Sequence, residues 1–183
     1  MEESLRPPPA GDDRDCAEKH DEIAVTVRDR SDIVRTAINR LAPDLLATAT
    51  LVIATDGQGF TEFTHEAERF VAEAGAGEGV LHLFLRHTTA SLVIQENADP
   101  DVQADLVAAL ERIAPADAGW IHDAEGPDDM PAHVKTMVTG VSLHVPVIGG
   151  KLALGTWQGI YLAEHRARPH RREVVLQFVG SRR

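Results

Sequence analysis

Three observations predict an α+β fold rather than a doubly wound sheet. Helix and strand patterns do not alternate regularly, the last third of the chain is a run of strand patterns, and Gly149–Gly150 between two of them suits a two-residue hairpin turn. The 183 residues suggest one domain with an extension, and 43% apolar residues are enough for a real core. A chain of this size buries roughly 70% of the surface that its unfolded form exposes.

Residues 1–20 are rich in Pro, Gly and Asp, and a disordered tail is expected there. Residues 21–47 read as an N-terminal extension of one strand and one helix. Ile23, Val25 and Val27 alternate, and "SDIVRTAINRLAPD" has Ser31 as N-cap, Val34, Ala37, Ile38 and Leu41 on one face, and Pro43 as a stop. The domain proper is expected over 48–183. "ATATLVIAT" is a strand ended by the turn "DGQG", and "THEAERFVAEAG" is a helix with Ala67, Phe70, Val71 and Ala74 on one face and Gly75 after its end. "AGAGEG" reads as a flexible joint before the strands "VLHLFLR" and "ASLVIQE". The clearest helix starts with Asp99 as cap and Pro100 at its first position, and Val102, Leu106, Ala109, Leu110 and Ile113 are expected as its buried stripe. A Gly/Asp-rich loop leads to the helix "PAHVKTMVTG", with Asp129 or a neighbour near its N-terminus, Pro131 in the first turn and Gly140 after its end. The strands "VSLHVPV", "KLALGTW", "GIYLAEH" and "REVVLQFVG" follow.

The charge narrows the function. Eighteen basic residues against 29 acidic ones give −11, which argues against a nucleic-acid partner. No stretch approaches the ~20 apolar residues of a membrane span. The N-terminus has no secretory pattern, and the single cysteine, Cys16, forms no internal disulfide, so the expected location is the cytoplasm.

Several of the nine histidines stand beside apolar runs, where an unpaired polar group is expensive. His87 follows the strand "VLHLFLR", His122 precedes the acidic loop, His133 lies early in a helix, and Glu164 ends a strand. Three imidazoles and a carboxylate suit a divalent ion, zinc or magnesium, with an open position for water or substrate. The plain alternative is that each histidine is exposed or hydrogen-bonded in the core, and the spacing fits no standard zinc template. "HTTAS" places hydroxyls beside His87. Neighbours on a strand face opposite ways, so His87 does not activate Thr88, and G-x-S-x-G is absent. Thr88, Thr89 and Ser91 read as donors to an anionic oxygen or as ordinary strand residues. Asn97 and Asp99 suit capping, Glu96 and Asn97 alternatively a cleft beside His87, and Asp105 a solvated charge. In "LGTWQGIYLAEH", Gly155 and Gly159 permit a close approach by a neighbour or ligand, Trp157 offers a wall and Gln158 an orienting amide. Trp157 suits the core or a subunit interface equally well.

The stretches "HTTASLVIQENADPDVQADL", "HDAEGPDDMPAHVKTMVTGVSLHVPV", "GGKLALGTWQGIYLAEHR" and "RREVVLQFVG" together resemble the YjbQ family, also called the secondary thiamine-phosphate synthase family. The resemblance spans residues 48 to about 180 and does not reach the extension. It implies a β-sandwich-like antiparallel core with a few helices, a homotrimer, and a polar pocket near the subunit boundary. It implies His87, Glu96, Asn97, Asp105 and Gln158 as catalytic residues and Thr88, Thr89, Ser91, Gly155, Thr156 and Trp157 as substrate-binding ones. His87, His122, His133 and Glu164 are the expected metal ligands. The implied reaction, as a principal or a side activity, joins hydroxymethylpyrimidine diphosphate to thiazole phosphate and releases pyrophosphate. The small phosphorylated substrates would be held mainly through the metal, because few basic residues accompany these positions. A metal-dependent hydrolase of a small phosphorylated metabolite and a non-catalytic anion-binding trimer are the alternatives.

Overall fold

The structure is a computed structural model that describes residues 25–28 and 34–183. The tail expected over residues 1–20 lies outside them. The unit that ends at Arg40 contains β1 (Val25–Arg28) and β2 (Val34–Thr36), paired antiparallel. The expected strand is therefore met from Val25 onward. The expected helix over 31–43 is not: from Val34 the chain is a short strand and then irregular up to Asp44. Its would-be apolar face is unpacked, with Ile38 62% exposed. A helix this short is marginal in water unless a packed face supports it.

The unit from Leu41 to Arg183 is α+β, as expected, with two antiparallel sheets and three helices. Across the larger sheet the order is β3 (Leu45–Thr55), β10 (His170–Arg182), β5 (Ala76–Leu85), β7 (Ser142–Ile148) and β8 (Lys151–Leu152). The smaller sheet runs β4 (Gly59–Glu62), β9 (Gln158–Glu164), β6 (Ala90–Glu96). Alternate residues of each strand face one core. Leu81, Leu83 and Leu85 of β5 and Val174, Leu176 and Phe178 of β10 meet Leu92, Ile160 and Leu162 of the smaller sheet there.

Helix α1 (Thr64–Glu73) buries Ala67 and Val71 in the same core, and Gly75 follows it at φ 64°. Helix α2 (Pro100–Ile113) starts as expected, with the Asp99 carboxylate accepting from the Asp101 amide at 2.9 Å. Its apolar stripe is only half-covered: no α2 residue is buried and Ile113 is 57% exposed. Helix α3 (Asp129–Thr139) starts at Asp129 with Pro131 in its first turn, as expected, and Gly140 follows its end at φ 95°. Among the described residues no helix is long and apolar enough to cross a membrane.

Two loop expectations are corrected. "AGAGEG" is not a flexible joint, because β5 starts at Ala76 and pairs with the end of β10. The glycines serve backbone approach rather than mobility. Gly79 stands opposite Gly180, and a Cβ on Gly79 would lie 2.3 Å from the Val179 carbonyl oxygen. "KLALGTW" is a strand only at Lys151–Leu152, after the turn formed by Gly149 (φ 57°) and Gly150 (φ 75°). The chain then leaves the sheet and turns at 155–158, where the Gln158 amide donates to the Gly155 carbonyl at 3.0 Å.

Gly79→Ala should therefore cost about 2–4 kcal/mol, since rigid backbone must move to admit the methyl group. Gly75→Ala, where the added carbon meets nothing within 4 Å, should cost about 1–2 kcal/mol from its positive φ alone. Urea denaturation of the two variants compares them; equal losses would show that the β5–β10 contact can relax.

Candidate functional site

The site is organised by a charge pair between the sheets. Glu164 ends β9 in the smaller sheet, and Arg172 lies on β10 in the larger one. Both side chains are 1% exposed. The guanidinium donates to both carboxylate oxygens, Nε to Oε2 at 2.7 Å and Nη2 to Oε1 at 2.6 Å. The Thr55 hydroxyl and the Arg166 amide also donate to Glu164, each at 3.0 Å. Burial alone would raise the Glu164 pKa. The hydrogen bonds from Arg172 and the Arg166 amide outweigh it and hold the carboxyl below its ordinary value.

Two arms extend from this pair. On one side Arg172 Nη2 donates to the Thr89 hydroxyl at 3.3 Å, and that hydroxyl lies 3.1 Å from Nδ1 of His87. On the other side Arg166, whose amide caps Glu164, sends its guanidinium to Asp128 at 3.2 Å and to Asp129. Asp129 opens α3 and is 1% exposed. Its Oδ1 accepts from Arg166, while Oδ2 lies 2.9 Å from Nε2 of His122 and 3.4 Å from Nε2 of His133. Asp129 and His133 are one helical turn apart on the same face, and the loop before α3 brings His122 over them. Ligand atoms of His122, Asp129 and His133 all lie within 4.8 Å of one another.

The expected ligands are thus partly assembled. His122 and His133 come together and Asp129 supplies their carboxylate. Glu164 is turned to Arg172 instead. His87 stands outside the cluster, near enough for the charges of Arg172, Glu164, His170 and His133 to act on it. Partial desolvation and the Arg172 charge set its pKa below the ordinary 6.5.

Thr88 is exposed beside His87, while Thr89 and Ser91 are buried. Ser91 Oγ lies 2.7 Å from Nε2 of His165 and also bonds the Thr139 hydroxyl. That is nucleophile-and-base spacing, but Ser91 is fully buried and His165 is 3% exposed, so no substrate carbonyl reaches the pair. His165 is desolvated, with the charge of buried Lys135 nearby, and its pKa falls to about 4. Lys135 itself donates to Glu111 at 2.5 Å.

The other expected residues gather at the far end of the smaller sheet. Glu96 pairs with Gln158, and Ala90 with Glu164, at opposite ends of the β6–β9 ladder. Six steps of about 3.3 Å separate these ends by about 20 Å. There the Gln158 side chain accepts from the Gly155 amide at 2.8 Å, and the Asn97 amide donates to the Trp157 carbonyl at 3.2 Å. Gly159 admits Tyr161, Glu62 and Asn97 closely, and Trp157 is 65% exposed. Thr156 lies in the same exposed turn, and Asp105 is exposed on α2.

The fold and the histidine–aspartate cluster define a class: a small two-sheet α+β domain with a polar centre where its sheets meet. The chain belongs to the YjbQ/UPF0047 family. The family model described as "UPF0047 protein YjbQ-like" matches residues 49–181. The UPF0047 protein sll1880 of Synechocystis is 47% identical over 72% of this chain and 90% of its own length. YjbQ of Salmonella typhimurium is 42% identical over 72% and 96%. Among solved structures, a YjbQ/UPF0047 protein of Clostridium acetobutylicum superposes with TM-score 0.64 at 36% identity, covering 72% of this chain and 98% of that one. A hypothetical protein of Aeropyrum pernix gives TM-score 0.68 at 28% identity, over 73% and 98%.

Glu164→Gln leaves Arg172 buried without its counter-charge and should cost about 3–5 kcal/mol. Glu173→Gln, which breaks the exposed Arg86–Glu173 pair, should cost under about 1 kcal/mol. Denaturation midpoints at pH 7 test the contrast. His165 sets a pH dependence. Unfolded, its ring takes up a proton near the ordinary pH 6.5; folded, only near 4. The unfolded state therefore binds more protons in between, and stability falls as pH drops from 6.5 towards 4, by up to about 3 kcal/mol from this one group. His165→Asn should flatten that part of the stability curve relative to its own value at pH 7.5.

Proposed function

We propose that the chain is a metal-assisted enzyme acting on a small phosphorylated metabolite, with a divalent cation held by His122, Asp129 and His133. The convergence of two imidazole nitrogens and a carboxylate oxygen within 4.8 Å carries the reading. Three protein ligands leave a position open, as catalytic zinc sites do. The donor set favours zinc over magnesium, which takes oxygen ligands. Arg166 on Oδ1 of Asp129 supports the fit, because it orients the ligand and leaves Oδ2 facing the histidines. When bound, the cation would supply Lewis-acid charge for a phosphoryl oxygen or a leaving group. The residues themselves would orient the substrate, with Thr88, His87 and Arg86, the last paired with Glu173, the exposed polar groups along the adjoining wall.

The finer reading is the thiamine-phosphate synthase-type transfer implied by the YjbQ resemblance, in which pyrophosphate leaves the pyrimidine carbon as the thiazole nitrogen attacks. One observation favours hydrolysis of a phosphorylated metabolite as the second reading: Arg166, Arg172 and Lys135 are each committed to carboxylates, which leaves a diphosphate little besides the cation. Self-association as a homotrimer is the assembly we propose, supported by the half-covered stripe of α2 and by exposed Phe84, Met137 and Val138. The net charge and lone cysteine suit the cytoplasm.

Zinc titration by calorimetry should give one site per chain, weakened at least about 100-fold in His133→Ala. The zinc-loaded protein should then turn over either the two thiamine precursors or a phosphomonoester panel, with His133→Ala inactive on both. Anion binding without turnover on either set would leave a binding protein and end the enzymatic reading.

A further inference from the structure

The ring of His87 is fixed from one side only. It stands at the bend between β5 and β6, exposed, and lines a groove of about 420 Å³ with Phe84, Thr136 and Val141. Thr136 is three residues after His133 on α3, so the groove adjoins the histidine–aspartate cluster. The amide of Thr89 donates to Nδ1 of His87 at 3.2 Å. An amide N–H is only ever a donor, so Nδ1 must offer its lone pair. A neutral imidazole then carries its proton on Nε2. Among the described residues every hydrogen bond of His87 is made through Nδ1, which leaves the Nε2–H of this exposed residue without a partner among them.

We infer that His87 is not a metal ligand but a hydrogen-bond donor, its Nε2–H binding an anionic phosphoryl oxygen at the mouth of the groove beside the His122–Asp129–His133 cluster. Ligation through Nε2 would require that nitrogen to give up its proton. The proton would move to Nδ1 and meet the Thr89 N–H head-on. Thr89 is held in turn by the Arg172–Glu164 pair, so the tautomer is set by the buried network rather than by the solvent. The Thr89 N–H against Nδ1 equally opposes a second proton there, which holds the ring in its neutral form. A neutral donor suits a phosphoryl oxygen that already carries charge, and the apolar wall of Phe84 and Val141 would take the organic part of the same molecule. The inference rests on the proposed function for the identity of the ligand, but the tautomer needs no metal.

Long-range ¹H–¹⁵N spectra of histidine-labelled protein at pH 7 test the tautomer, with His87 assigned by its loss in His87→Gln. A protonated Nε2 and a bare Nδ1 are expected; the reverse pattern overturns the assignment. Zinc and inorganic phosphate are then titrated separately and together into wild type, His87→Gln and His87→Ala. Zinc affinity should change by no more than about twofold in either variant, and a large loss would restore His87 as a ligand. Phosphate affinity should fall roughly tenfold in His87→Ala. It should recover in His87→Gln, which offers an oxygen to Thr89 and an N–H outward. Unchanged phosphate affinity in His87→Ala overturns the donor role. Failure of zinc to bind wild type, with the other results intact, removes the metal reading and leaves the His87 assignment standing.

Discussion

The ion pair between Glu164 and Arg172 is the constraint on which the site depends. Taking two charges out of water costs several kcal/mol per ion, and attraction recovers that only when the remaining lone pairs and protons are also satisfied. Here Thr55 and the Arg166 amide complete the carboxylate, and three guanidinium N–H groups are placed, two on Glu164 and one on Thr89. Among the described residues no buried side-chain nitrogen or oxygen lacks a partner. Because the two residues belong to different sheets, their bond also fixes how β9 meets β10. An apolar pair of equal volume could hold the sheets together as well. It could not orient Thr89 and Arg166, and those are the two arms along which the candidate site is built.

Those arms do different electrostatic work. The Arg166 arm brings a cation to a carboxylate that is almost wholly buried, so Asp129 presents one neutralised oxygen and one that faces two imidazoles. The neighbouring Asp128 strengthens the arrangement. Burial would raise its pKa, but the Ala167 amide and Arg166 hold it below the ordinary range, and it stays charged to anchor the same guanidinium. The Thr89 arm carries no net charge to its end. It fixes a ring orientation only. A cluster able to hold a cation and a wall able to donate a neutral hydrogen bond thus derive from one buried pair.

Much of this was legible in the sequence, and the rest was hidden for identifiable reasons. Period-2 and period-3.6 patterns located β6, β9, α1 and α2, because those elements bury one face against the core or start from a strong cap. His122 and His133 stood out as imidazoles in an acidic loop and an early helical turn. As a helix-start residue Asp129 has an ordinary explanation, which hides its second role, although its i,i+4 spacing from His133 is a usable signal. Glu164 read as a ligand because nothing in the linear order shows that Arg172, eight residues on, crosses to meet it from the other sheet. The same holds for Gly77 and Gly79: local chemistry says flexible, while pairing with β10 brings backbone within 2.6 and 2.3 Å of where a Cβ would stand. The Val34–Leu41 periodicity failed because a helical pattern without a surface to cover has no energy behind it.

The separation of the candidate residues into two groups follows from strand geometry. Residues at the two ends of a seven-residue ladder cannot serve one small substrate within a single chain. At the end that holds Glu96, Asn97 and Gln158, the polar groups are largely spent on the turn. The Gln158 side chain satisfies the Gly155 amide, the Asn97 amide bonds the Trp157 carbonyl, and the Glu96 carbonyl accepts from the Tyr161 hydroxyl at 3.3 Å. Burial and the nearby Glu62 carboxylate raise the pKa of that hydroxyl, so it stays a donor. At the end that holds Glu164 the balance is reversed. The buried groups are satisfied by one another: Asp129, itself buried, takes Arg166 on Oδ1 and lies against the part-exposed His122 and His133 rings through Oδ2. A paired interior with two part-exposed imidazoles gathered on one buried carboxylate at its edge is what a candidate site offers beyond a network that only supports the fold.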